Sequence, residues 1–229
     1  MKTIIINATG AKAGGAKQIL LSCLMSIDQD EMNNNKYIVL SPLVEEDIAL
    51  SSTNIELIRL STSSIWTFLF STFFVFLYAL RYKSRTIISF NNVNAFFLKR
   101  WFDLTTYFHQ LKAVESSEID LRMKLIRKNI SLLKGTTVIV QSHFVKKRFR
   151  EYFGLNYEVI VAWPGIRKIN QTCDSRYIYG LIEEIKLEYQ YVAVWPVSMV
   201  YSPHKGFRVL WSLSKKLEKL NVAIVVPGI

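Results

Sequence analysis

Residues 136–162, with the sequence TTVIVQSHFVKKRFREYFGLNYEVIVA, decide the fold of this chain. Two β-branched segments, 136–141 and 158–162, are predicted strands, and the basic segment 142–152 between them is a predicted helix. Strands that alternate with helices are typical of parallel βαβ units, in which the helices cover the sheet. The stretch therefore predicts an α/β protein with a parallel sheet.

The same alternation continues on both sides of this stretch. Further strands are predicted at 3–7, 37–41, 55–60, 86–90, 105–110, 191–194 and 221–226. Further helices are predicted at 16–27, 66–81, 93–101, 119–133, 177–188 and 207–220. The helix at 119–133 has the clearest pattern, with five apolar residues at helical spacing on one face: Ile119, Met123, Ile126, Ile130 and Leu133.

A change in composition after residue 168 predicts a domain boundary. We expect a first domain at 1–168, a linker and crossing helix at 169–190, and a second domain that begins at 191–229. The second part holds a single predicted βαβ unit, which leaves parallel strands uncovered and lies near the lower size limit for independent folding. We therefore expect this second domain to be incomplete.

The composition indicates a folded, basic protein with an acidic partner. Of its 229 residues, 50% are hydrophobic, which excludes a disordered chain. The net charge of +11 indicates nucleic acid, anionic lipid or a phosphorylated ligand. Cys23 and Cys173 have no metal-ligand spacing and fit a reducing cytoplasm. The apolar run near the N-terminus is too short for a secretory signal.

Most of the excess positive charge lies between Lys99 and Arg150, a stretch that contains twelve Lys or Arg residues and four Asp or Glu residues. Two predicted helices carry eight of these cations: Arg122, Lys124, Arg127, Lys128, Lys146, Lys147, Arg148 and Arg150. A solvated surface is the ordinary explanation. Above an apolar stripe, such cations also predict peripheral binding to anionic lipid. Nucleic acid is not an expected partner, because no nucleic-acid-binding motif is present.

One uncharged segment, between Arg59 and Arg81, raises the question of a membrane span. Its strongly apolar part, 65–80, is about 24 Å long as a helix, which is short of a hydrocarbon core of ~30 Å. We therefore predict a helix that is buried or touches the membrane surface, with a true span as the alternative.

Three short motifs are candidates for ligand binding. Gly10, Gly14 and Gly15 lie between a predicted strand and helix, where backbone N–H groups can receive an anion; a plain tight turn is the alternative. His109 is predicted at the carboxyl end of a strand, where open α/β sheets bind ligands, although a structural histidine is the simpler explanation. Lys205 is placed to attract phosphate, unless it is only a solvated helix start.

These motifs, in this order, resemble glycosyltransferase family 4, in a branch that builds bacterial surface polysaccharides. The similarity rests on Gly14-Gly15, Tyr107-Phe-His-Gln110, Val138-Ile-Val-Gln-Ser142, Val159-Ile-Val-Ala-Trp-Pro-Gly-Ile166, and Tyr191-Val-Ala-Val-Trp-Pro196 followed by His204-Lys-Gly206. The resemblance implies a GT-B fold, with two Rossmann-like domains that face the acceptor and the nucleotide-sugar.

The resemblance also implies residue roles. Gly14 and Gly15 would lie against the donor diphosphate, His109 would contact the transferred sugar as the catalytic residue, and Lys205 would neutralise the leaving diphosphate. The reaction would need no metal or other cofactor and would retain the anomeric configuration. The acceptor would be a lipid-linked glycan for O-antigen, other lipopolysaccharide or capsule, and the protein would act peripherally on the inner face of the cytoplasmic membrane.

Two departures from the family pattern affect this prediction. The Gly-Arg pair that follows the second-domain strand in many members is Trp195-Pro196 here. The family's later pair of glutamates, which binds sugar and ribose, has no counterpart, so we expect the acceptor half and only a fragment of the donor half. The alternatives are a non-catalytic basic membrane-surface accessory protein and another nucleotide-binding α/β protein.

Overall fold

The computed structural model describes residues 1–30, 32, 34–43, 48, 50–115, 120–163, 175–194 and 207–225. By its internal contacts the chain divides into two compact units, Met1–Arg167 and Lys168–Ile229. We call them the first and the second unit and describe each by itself. Lys205, Ile119, Pro196 and the end of the 159–166 motif lie outside the described residues.

The first unit contains a seven-stranded sheet in which every pair of neighbouring strands is parallel. Its strands are β1 (Thr3–Asn7), β2 (Lys36–Ser41), β3 (Ile55–Arg59), β4 (Thr86–Ser89), β5 (Asp103–Phe108), β6 (Thr137–Val140) and β7 (Glu158–Val161). Their order in the sheet is β3-β2-β1-β4-β5-β6-β7. This is the Rossmann-like order, so the predicted α/β class is confirmed.

Helices connect these strands. They are α1 (Gly14–Asp28), α2 (Ser64–Leu69), α3 (Val75–Arg81), α4 (Lys112–Glu115), α5 (Leu121–Leu132) and α6 (His143–Phe153). The side chains of Asp120 and Ser142 accept hydrogen bonds from the backbone N–H groups of Met123 and Val145, which caps α5 and α6 at their N-termini. Four of the five predicted stripe residues on α5 are buried: Met123, Ile126, Ile130 and Leu133.

The strands are apolar on both faces because the sheet has a core on each side. On β1, Ile5 belongs to one buried cluster and Ile6 to the other. On β2, Ile38 and Leu40 pack in the first cluster and Val39 in the second. Successive side chains of a strand point to opposite faces, so a nearly continuous apolar run is what a doubly covered parallel strand requires.

The predicted helix at 66–81 is a single helical segment with a wide turn in its middle. A π-helical stretch at Phe70–Phe74 separates α2 from α3. Among the described residues, no helix combines the length and apolarity needed to cross a membrane. The span that we kept as an alternative for this segment is therefore not found.

The predicted helix at 93–101 is wrong, because only Phe96–Leu98 forms a short 3₁₀ turn. Polar side chains form hydrogen bonds with backbone groups that would be bonded to each other in an α-helix. The Asn94 N–H donates to Asn129 Oδ1 (2.9 Å), and Ser89 Oγ donates to the carbonyl of Val93 (2.6 Å). The bond from Ser89 is local and competes with helix formation, whereas the bond to Asn129 comes from a residue 35 positions later.

The second unit contains α7 (Ser175–Glu188), β8 (Tyr191–Val194), α8 (Phe207–Lys219) and β9 (Val222–Val225). The two strands pair in parallel, with Tyr191 opposite Val222 and Val194 opposite Val225. A strand, a helix and a parallel strand form one βαβ unit, as the alternation in the sequence predicts.

Candidate functional site

A cavity of about 590 Å³ lies at the carboxyl edge of the sheet in the first unit. The strands β1, β4 and β5 are parallel and end at this edge, and the residues that follow them (Gly10, Asn91 and His109) line the cavity. The strand order reverses between β1 and β4. Open α/β sheets bind ligands at such a switch point, so this cavity is the candidate site.

Asn91 fixes the floor of the cavity. Its Nδ2 atom lies 3.1 Å from Asn7 Oδ1, 3.2 Å from Thr9 Oγ1 and 3.0 Å from Ser71 Oγ. Its Oδ1 atom accepts the backbone N–H of Gly10 at 3.1 Å. These bonds hold the loops after β1 and β4 together at the cavity wall.

Ser71 reaches this network from the π-helical turn. Ser71 and Thr72 are fully buried although they belong to an otherwise apolar segment. Asn7 Nδ2 donates to Ser71 Oγ (2.9 Å), and Asn129 Nδ2 lies 3.4 Å from Thr72 Oγ1. A π-turn often marks a functional site, and here it carries two hydroxyls that satisfy buried amides.

Asn92 orients the imidazole of His109. The backbone N–H of His109 donates to Asn92 Oδ1 at 2.8 Å, which identifies the other amide atom as the donor. That atom, Nδ2, lies 3.1 Å from Nε2 of the ring. Nε2 is therefore assigned as the acceptor, and the proton of the neutral ring is assigned to Nδ1.

The imidazole is neutral at pH 7. Burial, and to a smaller extent the positive charge of Arg122, lowers the pKa of His109 to about 4. Its Nδ1 atom is buried and has no hydrogen-bond partner among the described residues. An unsatisfied buried donor costs about 1–3 kcal/mol, a cost that the packing around the ring must offset.

The opening of the cavity is basic. Lys12 and Arg122 both line it, and none of the described residues that line it is acidic. Another part of the cavity wall is apolar and is formed by Ile65, Phe68 and Leu125. The site can therefore accept a ligand that carries both an anionic group and an apolar part.

Of the three glycines at the start of α1 and in the loop before it, only Gly10 lines the cavity. Gly14 is the first residue of α1 and has a φ of 63°, a conformation that favours glycine. Neither Gly14 nor Gly15 is among the residues that line the cavity, whereas Gly10 lines it. A Cβ on Gly10 would lie 2.9 Å from Asn91 Oδ1 and 3.1 Å from Thr67 Cγ2.

We expect Gly10→Ala to disturb the site. The new methyl group meets an amide that several hydrogen bonds hold in place, so Asn91 must move and lose some of them. We expect the free energy of unfolding to fall by about 1–2 kcal/mol, measured by urea denaturation. Gly15→Ala is the control, because a Cβ there meets nothing within 4 Å. Equal losses in the two variants would contradict the prediction.

Two of the eight basic residues on the two predicted surface helices, Arg127 and Arg148, interact with other residues of the protein. Arg127 Nε donates to the carbonyl of Ala113 (2.7 Å), and its guanidinium lies 4.5 Å from the ring of Tyr152. Arg148 pairs with Glu115 (3.5 Å) and Glu151 (3.1 Å). Five others are exposed: Arg122, Lys124, Lys128, Lys147 and Arg150. Lys146 is half-buried.

Sequence reasoning missed the amide network. It identified His109, but not Asn92, which orients the ring, or Asn91, which joins the loops. Their signal is the run Phe90-Asn91-Asn92 directly after a predicted strand, a position where parallel sheets place ligand-binding residues.

Comparisons with known proteins show similarity in structure only. No protein-family model matches the chain, and no curated protein matches it. A glycosyltransferase from Rickettsia africae ESF-5 superposes with a TM-score of 0.56 at 14% identity, over 98% of this chain and 68% of that one. WaaG, a glycosyltransferase involved in lipopolysaccharide biosynthesis, gives 0.54 at 12% identity, over 99% and 70%.

A third solved structure, MnaA of S. aureus with UDP, gives a TM-score of 0.59 at 10% identity, over 100% of this chain and 62% of that one. The chain thus spans 62 to 70% of the length of these three structures. At identities this low the likeness concerns the fold: the chain has the Rossmann-like α/β fold found in these three solved structures.

Proposed function

We propose that this chain is the acceptor-side part of a family 4 glycosyltransferase with a GT-B fold. It transfers a sugar, with retention, from a nucleotide-sugar to a lipid-linked glycan in surface polysaccharide biosynthesis. The observation that carries the proposal is the basic cavity at the switch point of the sheet, with an oriented neutral histidine in its wall. In the reaction an acceptor oxygen bonds to the anomeric carbon, the bond from that carbon to the diphosphate breaks, and the proton of the acceptor hydroxyl passes to the departing nucleoside diphosphate.

His109 would contact the sugar. The ring lines the cavity, and Asn92 holds it through Nε2. The Nδ1 proton is buried in the free protein, so a hydrogen bond from it to a sugar oxygen requires the ring to turn toward the cavity. A neutral donor suits this role, because at pH 7 it binds a hydroxyl without adding a charge beside Arg122.

Arg122 and Lys12 would bind the phosphate groups of the acceptor. Both line the cavity, and a cation can form a charge-assisted hydrogen bond to a phosphate oxygen. The apolar wall with Ile65 and Phe68 would receive the first carbons of the lipid. An acceptor with a diphosphate between glycan and lipid combines these features.

The donor side would involve Gly14, Gly15 and Lys205, as the resemblance implies, with no metal. UDP in the similar MnaA structure supports a nucleoside diphosphate as the ligand class, and the role of WaaG in lipopolysaccharide biosynthesis supports the product class.

The test is binding and turnover with defined ligands. The chain is titrated by calorimetry with UDP-, GDP- and dTDP-sugars and with a short-chain prenyl diphosphate glycan, and release of nucleoside diphosphate is followed when both are present. We expect Arg122→Gln to weaken binding of the prenyl diphosphate glycan by about fivefold, the scale of an exposed ion pair near 1 kcal/mol.

Lys124→Gln is the matched control. It removes the same charge from the same helix, at an exposed residue that does not line the cavity. An equal loss in both variants would show that only general charge matters. Failure of the chain to bind any of these ligands would overturn the proposal and favour a non-catalytic protein.

A further inference from the structure

The outward side of the helical segment 64–81 carries large apolar side chains that the described part of the first unit leaves exposed. Together with two neighbours from the loop before β5, they form what we call the apolar face: Ile65, Trp66, Phe73, Phe74, Leu77, Leu80, Phe97 and Trp101. Between 38 and 67% of each of these residues is exposed to solvent. Isolated exposed apolar residues are ordinary, but a cluster of this size indicates a binding surface.

The apolar face is separate from the side that packs on the sheet. Ser71, Thr72, Val75 and Ala79 of the same segment are fully buried. Phe73 and Phe74 follow Ile65 and Trp66 by seven to nine residues, and Leu77 and Leu80 follow at intervals of three to four, as one side of a helical segment requires. Phe68, Phe70 and Phe76 of the same segment pack against the core. The segment therefore has large apolar side chains on both sides, more than a helix that only completes a core needs.

Contacts join the helical segment to its two neighbours in the apolar face. The rings of Phe73 and Phe97 stack with centroids 6.1 Å apart. Leu80 and Trp101 line one shallow cavity of about 570 Å³, and Lys83, Arg85 and Arg100 line it with them. The face therefore runs along the helical segment and ends beside three cations.

The stretch of sequence that carries the apolar face contains cations and no acid. From Leu57 to Phe102 there is no Asp or Glu, but there are five cations after Leu80: Arg81, Lys83, Arg85, Lys99 and Arg100. At one end of the segment, Glu56 accepts a hydrogen bond from Tyr82 and pairs with Lys36. Lys99 is exposed, and its Nζ donates to the carbonyl of Leu132 at 2.8 Å. The others border aromatic and aliphatic side chains, which is the composition of a surface that binds anionic lipid.

We infer that the apolar face docks on an anionic lipid bilayer. Tryptophan at its border suits the membrane interface, where an apolar ring and a polar N–H are both accommodated. The cations attract anionic headgroups when they lie near the membrane surface. A second copy of this chain fits less well, because face-to-face contact would bring two sets of like charges together.

This inference changes the predicted attachment site. The sequence pointed mainly to the basic helices now seen as α5 and α6, with the segment 66–80 as a possible addition. In the structure, Arg127 and Arg148 of those helices are engaged within the protein. The apolar face instead combines insertion of side chains with charge.

The docking surface also meets the candidate site. Ile65 belongs to the apolar face and lines the cavity at the carboxyl edge of the sheet. A lipid-linked ligand in the docked bilayer would therefore lie next to the cavity. This last point rests on the proposed function, whereas docking itself does not.

The experiment measures binding of the full chain to vesicles of phosphatidylcholine, with and without phosphatidylglycerol, by flotation. The variant pair Leu77→Ser/Trp101→Ser removes two members of the apolar face. Leu155→Ser/Trp163→Ser is the matched control, because both residues are exposed in the first unit but lie outside the face. We expect the first variant to bind anionic vesicles about tenfold more weakly and the control to bind like the parent chain.

A charge variant separates the two candidate surfaces. Lys83→Gln/Arg100→Gln should weaken binding to anionic vesicles, while Lys147→Gln/Arg150→Gln on α6 should not. Quenching of tryptophan fluorescence by brominated lipid should report insertion and should be lost in Trp66→Phe/Trp101→Phe, because both tryptophans belong to the apolar face. Unchanged melting temperatures confirm that the variants fold.

Three outcomes would overturn the inference: equal binding by the Leu77/Trp101 variant and its control, a loss confined to the α6 charge variant, or concentration-dependent self-association without binding to vesicles. None of them depends on sugar transfer. The vesicle experiment can therefore contradict membrane docking while the ligand titrations support the proposed function, and the titrations can fail while docking is observed.

Discussion

Replacing Phe149 by alanine is expected to lower the free energy of unfolding by about 3–5 kcal/mol. Phe149 lies on α6 and is fully buried. Its ring contacts those of Phe108 (5.2 Å between centroids), Phe153 (4.8 Å) and Tyr157 (5.2 Å). The truncation removes apolar burial and leaves a cavity among rigid rings that cannot collapse into it.

Phe144→Ala is the control for this variant. It makes the same change on the same helix, but Phe144 is 52% exposed, so we expect a loss below about 1 kcal/mol. Urea denaturation followed by circular dichroism gives both values. Similar midpoints for the two variants would show that the aromatic cluster around Phe149 does not stabilise the first unit.

Acidification is expected to destabilise the protein through His109 by up to about 3 kcal/mol. The pKa of His109 is lowered from 6.5 to about 4 in the folded chain, so between these values the unfolded chain binds the proton more readily. The contribution of the neutral ring is therefore complete above pH 6.5 and is lost progressively as the pH falls to about 4.

The measurement is the pH dependence of unfolding for the parent chain and for His109→Gln. Asp28 and Glu56 also lose stabilising contacts in acid, because hydrogen bonds from the Ser51 backbone and from Lys36 lower their pKa values. The difference between parent and variant removes this shared contribution. We expect the difference to change between pH 6.5 and 4. A constant difference would mean that His109 titrates normally.

Several parts of the fold were predictable from local pattern. The β-branched runs at β1, β6 and β7 and the stripe of α5 agree with the structure within about two residues, a usual uncertainty for helix ends. In each case one physical constraint dominates: a strand covered on both faces must be apolar throughout, and a helix on a core needs one apolar side.

Other parts depended on partners distant in sequence. Asn94 is turned away from a helix by Asn129, 35 residues later, and Ser71 is placed beside Asn7, 64 residues earlier. No local pattern contains such pairs. Likewise, the apolar segment 65–80 has the composition of a buried helix, and only packing shows which of its side chains remain outside.

By itself, the sequence determined the alternation of strands and helices, because backbone propensity and the period of apolar residues act over a few neighbours. It also determined the excess of positive charge and the position of His109 after a strand. The tertiary structure alone decided the site. The order of strands brings Gly10, Asn91 and His109 to one edge, and burial beside Arg122 sets the charge of the imidazole. Both effects depend on distances through space, which the order of residues along the chain does not specify.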